Sequence, residues 1–309
     1  MGMVGGHMSG DMGKAGSGLE VGFVGFGEVA SVFSRALIGH GACVSAYDIL
    51  LEQDGGEEIL RGRAGDAPVR FCALAQMVRD AGYVLSTAAT HVAVDIARQC
   101  APHLGPGQVF VDLNSAAPAI KVEIGEVIAP SGAGYCEGAV LSAVGTAGAR
   151  SRILTGGPSG ADVAHVLTAL GLNASFYSAE VGKASTFKML RSVFSKGLEA
   201  LLIEFLVAGR RAGLEDELWQ EVTGLMQRTP FEQVAANWVQ THVVAYERRY
   251  HEMVQVAETV RDLGLEPVMT QATEAFFERS RSLGLGAAFA EKPDSMERVI
   301  AFVEGCLEE

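Results

Sequence analysis

The first half of the chain alternates short apolar runs with segments in which apolar residues recur every three or four positions. An apolar run over 21–24 precedes a segment in which Val32, Phe33, Ala36 and Leu37 share one helical face. A short continuous apolar run is typical of a strand that is buried on both sides. The alternation continues as far as Tyr177, and it predicts a doubly wound, mainly parallel β-sheet covered by helices.

The second half has a different pattern, because strand-like runs stop after Val181. Residues 183–211 form one long helical pattern with a continuous apolar stripe. The helices predicted after it are separated by three breaks, at Thr229 and Pro230, over 264–267 and over 284–286. The expected organisation is a disordered leader over 1–18, an α/β domain over 19–180 and an all-helical domain over 181–309.

A glycine-containing loop joins the first predicted strand to the first predicted helix. It has the pattern G-x-G-x-x-A and consists of Gly25, Phe26, Gly27, Glu28, Val29 and Ala30. Gly25 would form the tight turn, Gly27 would let a pyrophosphate approach the backbone, and the amides of the helix N-terminus would bind the anion. Strand, loop and helix in this order predict a Rossmann dinucleotide-binding domain. The alternative is a glycine turn that binds nothing.

An acidic residue follows the second predicted strand. Asp48 ends the apolar run over 42–47, about 20 residues after the loop, where a carboxylate can bond the adenosine ribose diol. No Arg or Lys lies between Asp48 and Arg61, and an anion without a nearby cation repels a 2′-phosphate. The sequence therefore favours NAD over NADP. Alternatively, Asp48 only ends the strand or caps a turn.

Composition excludes several classes of protein. A net charge of −13 over 309 residues argues against nucleic acid or an anionic membrane as a partner. The five cysteines are scattered without C-x-x-C spacing, and no apolar run is long enough to span a bilayer, so a cytoplasmic location is expected. No group of His, Cys and carboxylate residues has metal-ligand spacing, and we expect no metal.

A polar face begins near the start of the long predicted helix. Lys188 and Ser192 lie one turn apart on this face, with Arg191 beside them. Ligands of open α/β sheets bind beyond the strand ends, and a helix that crosses there would bring Lys188 to the ligand. The alternative is a solvated lysine on an amphipathic helix.

Four segments match the motifs of one enzyme family in order and spacing. They are the glycine loop with Asp48, the strand-end segment over 111–118, the segment over 135–140 followed by Gly156 and Gly157, and the glycine-led start of the long helix over 182–188. In these segments the chain resembles the β-hydroxyacid dehydrogenases, the family that contains 3-hydroxyisobutyrate and 6-phosphogluconate dehydrogenases. The match is good over about 19–210 and loose beyond it.

The resemblance implies a reaction and a set of site residues. Lys188 would be the general acid/base that takes the proton of a substrate hydroxyl while hydride passes to nicotinamide, and Ser115 would help to hold the substrate. The remaining substrate-binding residues implied by the match are Glu137, Gly138, Ser142, Arg191 and Ser192. Thr87, Ala88 and Asn114 would join the glycine loop and Asp48 in binding the cofactor. The family also implies a homodimer that forms through the helical domain.

The chain departs from the family pattern at three places. Ser192 stands where the family has Asn, and Leu141-Ser142-Ala143 replaces the Ser-Gly-Gly that receives the substrate carboxylate. His251 and Glu252 replace a Lys-Asp pair. Arg191, Arg248 and Arg249 could supply the lost carboxylate contacts, or they could be surface arginines in helix salt bridges.

We therefore expect an NAD-dependent dehydrogenase for a small β-hydroxy acid or β-hydroxy amino acid. Two alternatives stay open at the level of the sequence. One is an imine (C=N) reductase of the same architecture, and the other is a non-catalytic NAD(H)-binding sensor.

Overall fold

The computed structural model describes residues 18–307, so the predicted leader lies outside the described residues except for Gly18. The chain divides into two compact units between Ser192 and Val193, within one long helix.

The first unit is built around one eight-stranded sheet. The strands are β1 (Glu20–Val24), β2 (Cys43–Tyr47), β3 (Arg70–Phe71), β4 (Tyr83–Ser86), β5 (Val109–Asp112), β6 (Gly134–Val140), β7 (Arg152–Gly156) and β8 (Asn173–Ser178). Their order is β3-β2-β1-β4-β5-β6-β7-β8, and all neighbours are parallel except β6 and β7. The prediction of a doubly wound, mainly parallel sheet is confirmed.

Helices cover both faces of this sheet. They are α1 (Glu28–Gly39), α2 (Gly56–Ala64), α3 (Leu74–Asp80), α4 (Ala93–Cys100), α5 (Pro118–Ile128), α6 (Val144–Ala147) and α7 (Gly160–Ala169). Successive strand residues point to opposite faces, so Phe23 packs in one buried cluster with Phe33 and Leu37, while Val24 packs in the other with Phe110. Two apolar layers therefore fix the strands between their helices.

The second unit consists of helices and connecting loops over residues 193–307, with a non-helical segment over 289–295. Its helices are the end of α8 (Lys183–Ala212), then α9 (Glu215–Arg228), α10 (Phe231–Asp262), α11 (Val268–Arg281), α12 (Leu285–Ala288) and α13 (Met296–Gly305). The first two predicted breaks are confirmed. The third lies slightly earlier than predicted, because Gly284 has a φ of +69° and Gly286 already belongs to α12. Within residues 18–307, no helix has the combination of length and apolar character that crossing a bilayer requires.

The parallel strands bring several chain segments to one edge of the sheet. The carboxyl ends of β1, β4 and β5 are neighbours there, and each leads into a loop. The glycine loop, the segment after Ser86 and the segment after Asp112 therefore meet at the edge where α/β proteins bind ligands.

A buried ion pair holds the segment that follows β5. The Nζ atom of Lys121, on α5, lies 2.8 Å from the carboxylate of Asp112, and both side chains are essentially inaccessible to solvent. Lys121 also donates to the carbonyl oxygens of Asp112 (3.0 Å) and Asn114 (2.7 Å). The ammonium group thus replaces its hydration shell with three oxygen acceptors, which burial of a charge requires.

We predict that Lys121→Met lowers the free energy of unfolding by about 3–5 kcal/mol, because it leaves the Asp112 carboxylate buried without its cation. Urea unfolding followed by circular dichroism measures the change. Asp112→Asn combined with Lys121→Met should recover most of the loss. The control is Lys196→Met, which removes an exposed pair with Glu199 and should cost less than about 1 kcal/mol. A loss no larger than that of the control would contradict the prediction.

Candidate functional site

The glycine loop has the geometry of a backbone that a ligand approaches closely. Gly25 has a φ of +83°, and a Cβ atom there would lie 2.9 Å from the Cα of Ala88, so only glycine fits. At Gly27 a Cβ atom would meet nothing within 4 Å. Gly27 is the N-cap of α1, and no side chain caps this helix end. Open space beside free helix amides suits an anionic group.

Asp48 is tied to the glycine loop and to the turn that follows β2. Its Oδ2 atom accepts a hydrogen bond from the Phe26 amide (2.7 Å), and its Oδ1 atom accepts one from Leu50 N (3.0 Å). Asp48 therefore caps a turn, as the alternative interpretation proposed. Each carboxylate oxygen has a second acceptor position, so the cap leaves Asp48 able to accept from a diol.

A cavity of about 520 Å³ lies against this loop in the first unit. Its lining includes the predicted cofactor-binding residues Gly25, Phe26, Gly27, Asp48, Thr87 and Ala88, together with His91, Ile96 and Arg63. The hydroxyl of Thr87 donates to Gly25 O (2.7 Å) and so joins the end of β4 to the loop. The volume lies within the usual range of small-molecule sites.

Arg63 corrects the argument that Asp48 has no cation nearby. Helix α2 folds back after β2, and the Nη1 atom of Arg63 donates to Phe26 O (3.0 Å) at the cavity wall. Spacing along the chain does not reveal this approach, because α2 brings Arg63 back to the glycine loop. Arg61 does not take part, because its guanidinium pairs with Glu57.

Three predicted cofactor residues do not line this cavity. Glu28 is exposed in the first turn of α1, and Val29 packs against the core. Asn114 is buried after β5, where its amide nitrogen donates to the Ser86 hydroxyl (2.8 Å). Its Oδ1 atom is buried without a hydrogen-bond partner within the described residues. Glu28 and Val29 thus lie outside the cavity lining. Asn114 follows β5, the strand that pairs with β4, and the end of β4 borders the cavity.

Glu137 anchors the start of α8. The residue is fully buried on β6, and its Oε1 atom accepts from the amides of Gly182 (2.7 Å) and Ala184 (3.1 Å). Its Oε2 atom accepts from the hydroxyl of Ser185 (2.7 Å). A carboxylate at a helix N-terminus satisfies free amides and complements the helix dipole. We therefore assign Glu137 to positioning the helix, which corrects its predicted place among the substrate ligands.

Lys188 lies in the second turn of α8 and meets Ser115. Its Nζ atom donates to the Ser115 hydroxyl oxygen at 2.5 Å, across 73 residues of sequence. Burial, together with the positive charges of Lys121 and Arg191, lowers the pKa of Lys188 to about 8. The neutral amine is a minor form near pH 7 and reaches half of the population at about pH 8, so Lys188 can accept a proton in mildly alkaline solution.

The other predicted substrate residues fall into two groups. Arg191 and Ser142 are exposed near this pair, and Arg191 Nη1 donates to Leu141 O (2.7 Å), in the segment that replaces Ser-Gly-Gly. The Ser192 hydroxyl instead donates to Lys188 O (2.9 Å) within the helix. Gly138 is buried, and a Cβ atom there would collide with the Leu113 side chain. Gly138 and Ser192 therefore have structural contacts, whereas Arg191 and Ser142 lie open to a ligand.

Arg248 and Arg249 of the second unit have partners on their own helix. Arg248 forms an ion pair with Glu252, one turn along α10. Arg249 donates to the Thr241 hydroxyl (2.7 Å), and His251 is exposed beside Tyr250. Arg248 is therefore a surface arginine in a helix salt bridge, which was the alternative to a role in binding the substrate carboxylate. Within residues 18–307, no group of three or more His, Cys, Asp or Glu residues is arranged to hold a metal ion.

Comparison with known proteins gives consistent relatives. A domain of unknown function, DUF1932, matches residues 210–280. The 2-(hydroxymethyl)glutarate dehydrogenase of Eubacterium barkeri is 23% identical over 284 residues, which covers 87% of this chain and 91% of that enzyme. A conserved protein of unknown function, whose structure is described as similar to 3-hydroxyacid dehydrogenases, is 30% identical, with coverage of 85% and 97% and a TM-score of 0.57.

An imine reductase is among the solved structures that share only the fold with this chain. The match to the imine reductase of Streptomyces aurantiacus covers 92% of this chain and 99% of that protein. Its TM-score is 0.70, and the two sequences are 16% identical.

Fold, site and relatives together define the class of protein. A mainly parallel sheet with a glycine loop, followed by a helical unit, is the architecture of the 3-hydroxyacid dehydrogenases. The chain is a divergent member of the β-hydroxyacid dehydrogenase family.

We predict that Lys188 titrates with a midpoint near 8, below the ordinary lysine pKa of 10.5. Arg191→Gln should raise this midpoint because it removes a nearby positive charge, but burial should still keep it below 10.5. Because the ammonium form is disfavoured in the folded protein, the unfolded chain binds more protons between these values, and stability should rise with pH across that window. NMR titration of the lysine Cε resonances measures the midpoint, with the Lys188→Ala spectrum as the assignment control. A midpoint near 10.5 would contradict the burial argument.

Proposed function

We propose that the protein is an NAD-dependent dehydrogenase that oxidises the hydroxyl-bearing carbon of a small β-hydroxy acid or β-hydroxy amino acid. The observation that carries the proposal is the hydrogen bond between Lys188 and Ser115, which joins a partly buried amine to a hydroxyl. This pair belongs to the same compact unit as the cavity at the glycine loop. Membership of a dehydrogenase family supports the reaction type.

The residues at the glycine loop fit a dinucleotide. Gly25 and Gly27 leave the backbone accessible, the free amides of α1 suit a pyrophosphate, and Asp48 can accept from a ribose diol. When bound there, nicotinamide would supply the acceptor for hydride. Asn114, with its unpartnered oxygen, would lie on the nicotinamide side.

Lys188 acts as the general base in this proposal. Its neutral amine takes the proton of the substrate hydroxyl, and Ser115 orients both groups because its oxygen can accept from one and its O–H can donate to the other. The ammonium that forms is partly buried near Lys121 and Arg191. That environment disfavours the charged form, so Lys188 returns the proton readily.

Arg191 is our candidate for binding the substrate carboxylate. One of its five N–H donors goes to Leu141 O, at the segment that lacks the family glycines. Guanidinium groups bind carboxylates through paired N–H donors, and the remaining donors of Arg191 can do so. Ser142 lies exposed beside it. A bidentate arginine would replace the lost backbone contacts.

A reductase of C=N bonds is the second candidate, because the imine reductase of Streptomyces aurantiacus shares the fold. A screen separates the two functions. NAD reduction is followed with hydroxy acids, including amino-substituted and aromatic ones, at alkaline pH, and NADH oxidation is followed with cyclic imines. Turnover of a hydroxy acid supports the dehydrogenase, whereas turnover of imines alone supports the reductase. Cofactor binding without turnover of either class would favour a sensor.

We predict that Lys188→Ala lowers kcat by roughly 10²- to 10⁴-fold, the contribution of a positioned proton-transfer group. Lys188→Arg should be nearly as slow, because guanidinium does not release its proton near neutral pH. Lys183→Ala is the matched control, since Lys183 is exposed on the same helix. In the wild-type protein, the rate of oxidation should rise with pH up to about 8 and then level off. A Lys188→Ala protein as fast as the Lys183 control would exclude the mechanism.

We expect NADH to bind at least about tenfold more tightly than NADPH, because the Asp48 carboxylate accepts from the ribose diol and repels a 2′-phosphate. Fluorescence titration of the purified protein with each cofactor gives the two dissociation constants. Equal affinities, or tighter binding of NADPH, would remove Asp48 from this role.

We also propose that the cytoplasmic, active form is a homodimer assembled through the helical unit. Large apolar side chains are exposed there, among them Val193 (73%), Ile203 (60%) and Phe276 (57%). A second copy of the chain would remove them from water. Sedimentation equilibrium should therefore give twice the mass of one chain, and the mass of a single chain would contradict the proposal.

A further inference from the structure

Asp48 and Arg63 contact opposite ends of one residue in the glycine loop. The amide of Phe26 donates to Asp48 Oδ2 (2.7 Å), and its carbonyl oxygen accepts from Arg63 Nη1 (3.0 Å). Both charged side chains line the same cavity. They form no ion pair with each other in the described part of the chain, so neither charge is neutralised by direct contact with the other.

The position of Arg63 is fixed by helix α1. The hydroxyl of Ser31 donates to Arg63 O (2.7 Å), and Arg35 Nη1 donates to the same carbonyl oxygen (3.3 Å). These bonds tie the end of α2 to the helix whose N-terminus faces the cavity. The side chain of Arg63 thus extends from a held backbone towards the glycine loop.

Arg61 lies on the same helix as Arg63, α2, but its side chain has different contacts. Its guanidinium bonds Glu57 and lies 5.7 Å from the centre of the Phe71 ring, and Arg61 is not part of the cavity lining. Arg63 uses one donor on Phe26 O, which leaves four N–H groups for a ligand. The two arginines form a matched pair for an experiment.

We propose that Arg63 is a second determinant of cofactor choice. Together with the glycine loop it forms a binding site for a 2′-phosphate, and the negative charge of Asp48 prevents phosphate from binding there. The proposal rests on the proposed function, because it assumes that the adenosine end of a dinucleotide lies in this cavity. In the wild-type protein, Asp48 binds the ribose diol and its charge repels a 2′-phosphate. With Asp48 neutralised, the free donors of Arg63 receive the phosphate.

The test uses two probes that differ only in the 2′-phosphate, adenosine 5′-phosphate and adenosine 2′,5′-bisphosphate. Isothermal titration calorimetry measures their binding to the wild-type protein, Asp48→Asn, Asp48→Asn with Arg63→Gln, and Asp48→Asn with Arg61→Gln. We expect Asp48→Asn to bind the bisphosphate about tenfold or more tightly than the wild-type protein does. The Arg63 double variant should lose this gain, and the Arg61 double variant should keep it.

The outcomes separate this proposal from the proposed function. If adenosine 5′-phosphate binds the wild-type protein and the gain survives Arg63→Gln, or never arises, Arg63 is not a phosphate ligand. If neither probe binds any variant, both the cavity's role and the proposal are overturned. A second measurement does not depend on the folding of an Arg63 variant. In Asp48→Asn, the Arg63 Nε–H resonance should shift with the bisphosphate and not with the monophosphate, and the absence of a shift would also overturn the proposal.

Discussion

The buried carboxylate of Glu137 is the contact on which the candidate site depends. It extends from β6 and accepts three hydrogen bonds at the start of α8, two from backbone amides and one from Ser185. Charge-assisted bonds of this kind are stronger than neutral ones, and their full burial protects them from water. Lys188 follows one turn after Ala184, so the cap on the helix also sets where the amine lies. A substitution at Glu137 would therefore move the chemistry as well as weaken the fold.

A second buried carboxylate fixes the partner of Lys188. Asp112 ends β5, the parallel neighbour of β6, and Lys121 ties this strand end to Asn114. Ser115 is the next residue, and it reaches Lys188 at 2.5 Å. The two anchored segments thus meet at the same sheet edge. Lys121 has two effects, because its charge stabilises the strand end and also lowers the pKa of Lys188.

Local patterns in the sequence were sufficient for most of the fold. The apolar runs and the helical spacing predicted the parallel sheet and the long helix α8, and the glycine loop predicted the position of the cavity. The direction of β7 was not predictable, because an apolar run has the same pattern in a parallel or an antiparallel strand. Lys188 and Ser115 belong to two motifs that the family resemblance assigns to one site, and their side chains are hydrogen-bonded.

Three features of the site depend on contacts that sequence spacing does not reveal. Lys121 lies on the buried face of α5 with Ile124 and Ile128, and its charge is accommodated there only because Asp112, on another element, lies 2.8 Å away. Glu137 is 45 residues from its first partner, Gly182, and its role as a cap follows only from the packing of α8 on β6. Arg63 reaches Phe26 because α2 folds back onto α1, a contact across 37 residues. In each case an ionisable side chain is placed by tertiary packing.

The central claim is that Lys188 transfers a proton at this site, and chemical rescue of the Lys188→Ala protein tests it most directly. The rate of oxidation of the hydroxy acid identified by the screen is measured with added primary amines of different size and pKa. If Lys188 is the base, small amines should restore turnover, and the restored rate should increase with the concentration and basicity of the neutral amine. A Lys188→Ala protein that is slow at every amine concentration would show that the lysine holds the site together without moving the proton.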